Sequence, residues 1–465
     1  MRNGHLIISL MMLLWPACGW AAAEGSDTLA ATGERVEAAA LRATDTGALP
    51  TVTGVRGNDT LTVRPGSHWG AAFRMMPGRV IPLDSYSSQW IHGKRTFTLG
   101  AELNYNTLPS DSDAYAAAFG YPTLSVGAAY DFNHGVTLHR YPSPSWGKAQ
   151  EVDYMSGLGN ALSVYFSVSR PFVRAGRLQL AYVLRLGLGF YTYYYNNRDN
   201  IDNELIGSPI NIYFGAALTA SWQLTPRWAL MGGVEYRHHS NGALARPNKG
   251  ENAVGPVVGV VWLPEREPHS GGHTVKNGSG GLHDDFRKTW FVDLGVGVGG
   301  KTLLEDWQIT QFRTDPGDPD YRTEHFHFHP AYSLQTAFMY RYIRKWATGI
   351  GADLFYGSYY KRIREIETAN GHADDARRVS PWSVGIALKH EVYYHRFSVA
   401  MSVGAYLYRN MGSSAKEIEK PYYERIGLRY SFASLGGMYL GASVNAHLTK
   451  ADFAELVVGF PIRVY

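Results

Sequence analysis

The stretch "LQLAYVLRLGLGFY", residues 178–191, decides the fold. Its even positions, Leu178, Leu180, Tyr182, Leu184, Leu186, Leu188 and Phe190, are apolar without a break, while its odd positions include Gln179, Arg185, Gly187 and Gly189. Side chains alternate across a β-strand, so one face is apolar and the other polar or very small. Alternation over about ten residues suits a transmembrane strand, apolar toward lipid and small or charged toward a narrow lumen. A half-buried strand of a soluble sandwich alternates too, so the surrounding sequence must choose between them.

Comparable runs recur at 94–105, 121–131, 160–171, 209–222, 228–240 and 252–263, with a weaker one near 69–82, which gives about eight strands. Aromatics gather at strand ends, as in "FYTYYYNN" (190–197), where tyrosine rings suit a membrane interface. The Gly-, His- and charge-rich segment "PEREPHSGGHTVKNGSGGLHDDFRK" (264–288) separates this set from a second one. That second set lies near 289–299, 328–343, 346–358, 381–394, 396–408, 422–433, 437–448 and 453–465. Its last segment, "AELVVGFPIRVY" (454–465), puts Leu456, Val458, Phe460, Ile462 and Val464 on one face and ends on an aromatic, as outer-membrane barrels do. The expected fold class is all-β, a transmembrane antiparallel β-barrel of eight strands (66–265), a linker (266–288) and a second set of about eight (289–465). Alternation leaves open whether the halves are two small barrels or one larger barrel of about sixteen strands. Eight strands are filled by their own side chains, whereas sixteen leave a channel.

The chain's start fits a barrel in the outer membrane of a Gram-negative cell. Residues 1–23 combine a basic start, an apolar core from Leu6 to Leu14 and small residues at Ala21 to Ala23, the pattern of a cleaved export signal. Its only cysteine, Cys18, lies inside this segment, and Trp15 and Pro16 match a lipoprotein cleavage site poorly. The mature chain therefore has no thiol for a disulfide framework, a Cys nucleophile or a zinc cluster. No later run of about 20 apolar residues offers a membrane-spanning helix, so a membrane protein of this kind must close a barrel. Residues 24–65 read as a small, polar extension, flexible or helical, without a core of its own. With 465 residues, 18% charged, 13% aromatic and a formal charge of +4, the chain is neither disordered nor a basic nucleic-acid binder.

Within this frame "EYRHHSNG" (235–242) is unusual, since it places a base and a hydroxyl at the end of the 228–240 strand. Trp228, Leu230, Val234, Tyr236, His238 and Ser240 share the even, lipid-facing side, while Glu235, Arg237 and His239 face a lumen network. With the N-terminus in the periplasm, odd-numbered strands run outward. The seventh then carries Ser240 to the outer leaflet, where lipopolysaccharide resides. A base and a nucleophile on the outer wall make sense for a lipid substrate. Taken alone, His, Ser and Asn at a strand end beside a Pro-Gly loop read more readily as an interface turn.

The loop that follows, "SNGALARPNKGEN" (240–252), resembles the outer-membrane lipid A 3-O-deacylases, which share a His-x-Ser-Asn motif followed by Pro-Asn-x-Gly and an acid. "GSPINIYFGAAL" (207–218) resembles the strand before that motif. The detailed resemblance covers roughly 94–263, and the added second half resembles a two-part, acyloxyacyl hydrolase-like branch. It implies His238 as base, Ser240 as nucleophile and Asn241 as the oxyanion-hole residue. It also implies lipid A of lipopolysaccharide as substrate, outer-membrane lipids as surroundings, and no cofactor. By spacing, the family's acid falls at Asn252, on the same face as His238 and Ser240. An amide oxygen can fix an imidazole tautomer, as Cys-His-Asn sites illustrate. Glu251 is the alternative orienting acid if a bulge turns it outward.

Two other clusters invite comparison. In "NAHLTKADFAELVV" (445–458), parity points His447, Thr449 and Glu455 inward, which suggests a lumen network of His447, Glu455 and Arg463. "HFHFHP" (325–330) puts three imidazoles on one strand face without a carboxylate or cysteine at convincing spacing, so no metal is assigned. The function classes left are an outer-membrane serine esterase acting on an acyl ester of lipid A, and a non-enzymatic channel or scaffold. One wide polar pore would favour the latter.

Overall fold

The computed structural model describes residues 68–263, 286–413, 415, 421–448 and 450–464, with the backbone of 52–56 and 59–63. The export signal expected over 1–23 lies outside the described residues, as does most of the linker. Within the expected extension, Val52–Arg56 pairs antiparallel with Asp59–Val63, a hairpin where a flexible or helical lead-in was expected. The richness of "VTGVR" and "DTLTV" in β-branched residues is the local reason.

Sixteen long strands close two separate antiparallel barrels of eight. The first contains β1 (Trp69–Val80), β2 (Arg95–Asn106), β3 (Thr123–Gly135), β4 (Ala161–Ala175), β5 (Leu178–Tyr191), β6 (Ile210–Gln223), β7 (Trp228–Ser240) and β8 (Glu251–Trp262), with β8 returning to pair with β1. The second contains β9 (Thr289–Thr302), β10 (Phe328–Ile343), β11 (Trp346–Gly357), β12 (Trp382–Tyr394), β13 (Phe397–Arg409), β14 (Tyr422–Ser431), β15 (Tyr439–His447) and β16 (Lys450–Val464), closed by β16 on β9. The question of one barrel or two is thus resolved as two. Among the described residues no helix is long and apolar enough to cross a membrane.

Parity places the side chains as alternation dictates. On β5, Leu186, Leu188 and Phe190 are exposed, whereas Arg185, immediately before them, is buried. Outward apolar residues recur around both barrels, and Trp69, Trp222, Trp228 and Trp262 form an exposed girdle at the end of the short turns 176–177 and 224–227. The connections at the opposite end (81–94, 136–160, 192–209 and 241–250) are longer taken together, with 107–122 the one long connection at the girdle end; a loop-rich end is the outward-facing one in outer-membrane barrels.

Each lumen is crossed by ion pairs. In the first, Arg74 Nη1 donates to Glu235 Oε1 at 2.7 Å, and Arg185 reaches Glu102 at 2.8 Å and Glu235 at 3.2 Å. In the second, Lys389 and Arg425 share Asp353 at 2.7 and 3.3 Å, and Arg429 lies between Asp293 and Glu391. Buried charges persist only when paired in this way, and eight strands leave no further room. The polar pore that would favour a channel is absent from both described barrels.

The His447–Glu455–Arg463 network expected in the second lumen does not form. Glu455 instead accepts from Ser333, Gln335 and Ser443 and pairs with Arg425 at 3.1 Å. His447 bonds the Tyr406 hydroxyl at 2.8 Å, and Arg463 is exposed near the strand's end. Glu455 and Arg463 are eight residues apart on one strand, about 26 Å at 3.3 Å per residue, so a shared face could not bring them together. Thr449 lies outside the described residues.

The barrels meet at both ends. At the long-loop end, Thr302 N donates to Ala243 O at 2.9 Å and Gln311 Nε2 to the Tyr195 hydroxyl at 2.6 Å. At the short-turn end, Lys345 Nζ donates to Ala118 O at 2.6 Å and His395 Nε2 lies 2.9 Å from Asp113. The β2–β3 and β7–β8 connections used here lie far apart around the sheet. Strands tilted by about 35–45° wind so far around a small barrel that both connections can fall on one side of it.

Candidate active site

The site is built where β7 and β8 leave the membrane-spanning wall at the long-loop end. The antiparallel register sets His238 directly opposite Asn252 and His239 opposite Glu251. Parity then separates the two rows, because facing residues share a side of the sheet. Asn252 joins His238 and Ser240 on the outer wall, while Glu251 turns into the lumen with His239 and Arg237.

On the outer wall the hydrogen bonds form a chain. His238 Nε2 lies 2.9 Å from Ser240 Oγ, and His238 Nδ1 lies 2.8 Å from Asn252 Oδ1. Asn252 Nδ2 donates to Gly250 O at 3.2 Å, which fixes the amide with its oxygen toward the imidazole. An amide oxygen only accepts, so Nδ1 carries the proton and Nε2 is left to accept from the serine hydroxyl. Gly250 is needed for this packing. Its φ is +76°, and a Cβ there would come within 2.7 Å of His238 Cε1.

Glu251 does not approach His238. Its carboxylate sits 3.0 Å from Arg237 Nη2 and 3.0 Å from His239 Nδ1, fully buried. No bulge interrupts the β7–β8 register that would turn it outward. Asn241 is buried, and its side chain is engaged within the loop. Nδ2 donates to Ser208 Oγ at 3.1 Å and to Ala245 O at 3.2 Å, while the backbone N–H donates to Asn248 Oδ1 at 3.0 Å. To reach an oxyanion, the amide must yield one of those two donor contacts.

Two features of the site were not legible in the sequence. Tyr236 donates its hydroxyl to Asn252 Oδ1 at 2.6 Å, so the orienting oxygen accepts from two sides. The only available signal was that Tyr236 shares the even face two residues before His238, which reads equally well as lipid-facing. The second is the anchoring of residues 241–250 on the other barrel.

The remaining clusters do not assemble comparable chemistry. His325 and His327 precede β10, and only His329 enters it. The rings of His327 and His329 meet edge-on at 4.7 Å, and no group of three or more potential metal ligands occurs among the described residues. In the second barrel's long loops, Ser413, His372 and Glu367 come together. However, Ser413 Oγ bonds Glu367 at 2.7 and 2.8 Å and His372 through Nδ1 at 3.3 Å, the same nitrogen that faces Glu367. The imidazole cannot relay a proton in that arrangement, and the glutamate serves as a polar clamp.

Two family models match the chain. Residues 114–261 match the lipid A 3-O-deacylase (PagL) model, and residues 290–464 match the C-terminal domain of acyloxyacyl hydrolase. The chain belongs to the lipid A 3-O-deacylase family, in its two-part form. The first match contains Tyr236, His238, Ser240, Asn241 and Asn252; the second coincides with the second barrel.

Among solved structures, the crystal structure of the outer membrane enzyme PagL aligns at 13% identity over 41% of this deacylase-family chain and 97% of its own, with a TM-score of 0.25. A mutant of the Rh. blastica porin aligns at 9% identity over 85% of this chain and 99% of its own, with a TM-score of 0.14. At such scores neither superposition bears on function. No curated protein sequence matches the chain significantly.

Proposed function

We propose that this protein is an outer-membrane serine esterase that removes an ester-linked fatty acyl chain from lipid A in the manner of a 3-O-deacylase. The observation that carries the proposal is the chain Ser240–His238–Asn252 on the outer wall at the long-loop end, with contacts of 2.9 and 2.8 Å. A catalytic pair opening to a lumen would meet no lipid; this one opens to the bilayer.

The chemistry follows from the groups. His238 Nε2 takes the Ser240 proton as Oγ attacks the ester carbonyl, forming a tetrahedral oxyanion and an imidazolium. Asn252 Oδ1, accepting from Nδ1–H, holds the ring in the productive tautomer and stabilises the imidazolium as a neutral dipole. Asn241 and neighbouring backbone N–H groups receive the oxyanion. The imidazolium protonates the departing sugar oxygen, leaving an acyl-Ser240. Water, deprotonated by His238, then releases the fatty acid and restores the serine. Glu251 serves the lumen in this scheme, as the counter-charge of Arg237 and His239.

A lipophilic fluorophosphonate tests the nucleophile directly. Labelling of the folded protein should map to Ser240 and disappear in His238→Ala. Labelling at another serine, or undiminished labelling without the histidine, would remove the proposed pair from the mechanism.

A further inference from the structure

The loop that carries Asn241 and leads to Gly250 is held from two sides. On its own barrel, Lys249 N and Gly250 N donate to Glu204 O and Leu205 O, each at 3.0 Å. The other side is the second barrel. Thr302, the last residue of β9, donates both N–H (2.9 Å) and Oγ1 (3.2 Å) to Ala243 O. In return Arg246 Nε donates to Thr302 O at 3.0 Å. The Arg246 guanidinium also lies in the field of Glu305 and Asp452, both contributed by the second barrel. Next to Ser240, Gly242 (φ +65°) is packed so closely on β15 and β16 that a Cβ would stand 3.2 Å from Ala454 Cβ and 3.7 Å from Val444 Cγ2.

A ten-residue loop at a membrane surface has little core of its own, and short polar loops open readily. This one must keep Asn241 and Gly250 in place beside the reacting atoms, where a displacement of about 1 Å costs about a hundredfold in rate. Ser240, His238 and Asn252 need no such help, since paired strands hold them. The loop's second set of hydrogen bonds comes from a barrel that contributes no group to the chain of Ser240, His238 and Asn252.

We infer that the second barrel is a working part of the active site, clamping the catalytic loop through Thr302 and Ala454, with Arg246 as the loop's positioning residue. This rests on the esterase reading above. The two barrels are then one catalytic unit, and the 290–464 domain acts through the loop's geometry rather than through a reacting group.

The test uses the full-length protein folded in outer-membrane lipid, as wild type, Arg246→Met and Arg246→Lys. Hydrogen exchange of the 241–250 amides reads the clamp without reference to activity. In Arg246→Met it should rise at least about tenfold while the strand amides stay unchanged. Unchanged loop exchange would overturn the clamp. In the same variant, kcat on lipid A should fall about 10- to 100-fold with KM unchanged, and Arg246→Lys, which keeps a donor, should recover part of the loss. A kcat within about twofold of wild type, or a loss confined to KM, would overturn the positioning role.

A third arm adds Gly242→Cys with Ala454→Cys, whose Cβ atoms are close enough for a disulfide after slight adjustment. Oxidation should restore kcat in the Arg246→Met background and reduction should remove it again. If oxidation instead abolishes turnover while Arg246 is present, the loop must leave the second barrel during the cycle and the clamp is inhibitory, contrary to the inference. Failure of the esterase reading looks different: the wild type would then leave lipid A intact, while the exchange arm would still report whether the second barrel holds the loop.

Discussion

Replacing Asn252 by Ala removes the oxygen that orients His238 and leaves the β7–β8 pairing intact. In the resting enzyme the 2.8 Å contact is a neutral hydrogen bond, of net value about 0.5–1.5 kcal/mol. In the transition state the imidazole is charged, and a hydrogen bond to a charged group is worth about 1.5–3 kcal/mol. The difference, about 1–2 kcal/mol, corresponds to about 5- to 30-fold in rate. Without an acceptor the ring also loses its tautomer preference, a further factor of about two for two balanced tautomers. Asn252→Ala should therefore lower kcat by about 10- to 60-fold, with KM little changed.

The control is Glu251→Gln, which removes a buried carboxylate from Arg237 and His239 rather than from His238. It should lower barrel stability, since breaking a buried pair costs about 3–5 kcal/mol, yet the fraction that folds should turn over at close to the normal rate. The assay is single-turnover release of fatty acid from purified lipopolysaccharide, normalised to folded protein by heat-modified gel mobility. If Asn252→Ala keeps its rate while folded Glu251→Gln loses it, the orienting residue has been misassigned.

Other outcomes follow from the same geometry. Tyr236→Phe removes one of two donors to Asn252 Oδ1 and should slow turnover about 2- to 10-fold, as the loss of about 0.5–1.5 kcal/mol implies; an effect beyond a hundredfold would mean that the tyrosine touches the reacting atoms. Gly250→Ala should cost about 1 kcal/mol for its positive φ and more in rate than in stability, because the new methyl meets His238 Cε1; thermal melting and kcat measured side by side decide this. Asn241→Ala should lose about 10²- to 10³-fold in kcat if its amide swings to the oxyanion; a loss under about tenfold would assign that role to backbone N–H groups. In the lumen, Arg74→Met strands Glu235 between fewer cations and should destabilise the barrel by about 3–5 kcal/mol, measured by urea unfolding in micelles.

Much of this architecture was legible because a barrel wall obeys a period of two. The alternation at 178–191 separated Leu188 from Arg185, and the same parity put Ser240, His238 and Asn252 on one wall. Closure was not legible, since eight-stranded and sixteen-stranded barrels alternate alike, and only the pairing of β8 with β1 and of β16 with β9 distinguishes them. The lumen partners were also hidden. Arg237 meets Asp131 across the barrel and Arg74 meets Glu235 over the intervening β8, at sequence separations that no local pattern reports. Tyr236 was concealed by its own chemistry, because an outward tyrosine near a strand end is ordinary interface anchoring until its hydroxyl is seen on Asn252. The clamp at Thr302 depends on how two barrels dock, which alternation within either barrel cannot express.

The central claim is that Ser240 opens an ester of lipid A from the outer wall of the first barrel. The measurement that tests it most directly is mass spectrometry of lipid A from cells expressing the wild type or Ser240→Ala, each shown to be folded in the outer membrane. The account predicts loss of one hydroxyacyl mass with the wild type alone. Unchanged lipid A in both, or an identical loss in both, would contradict it.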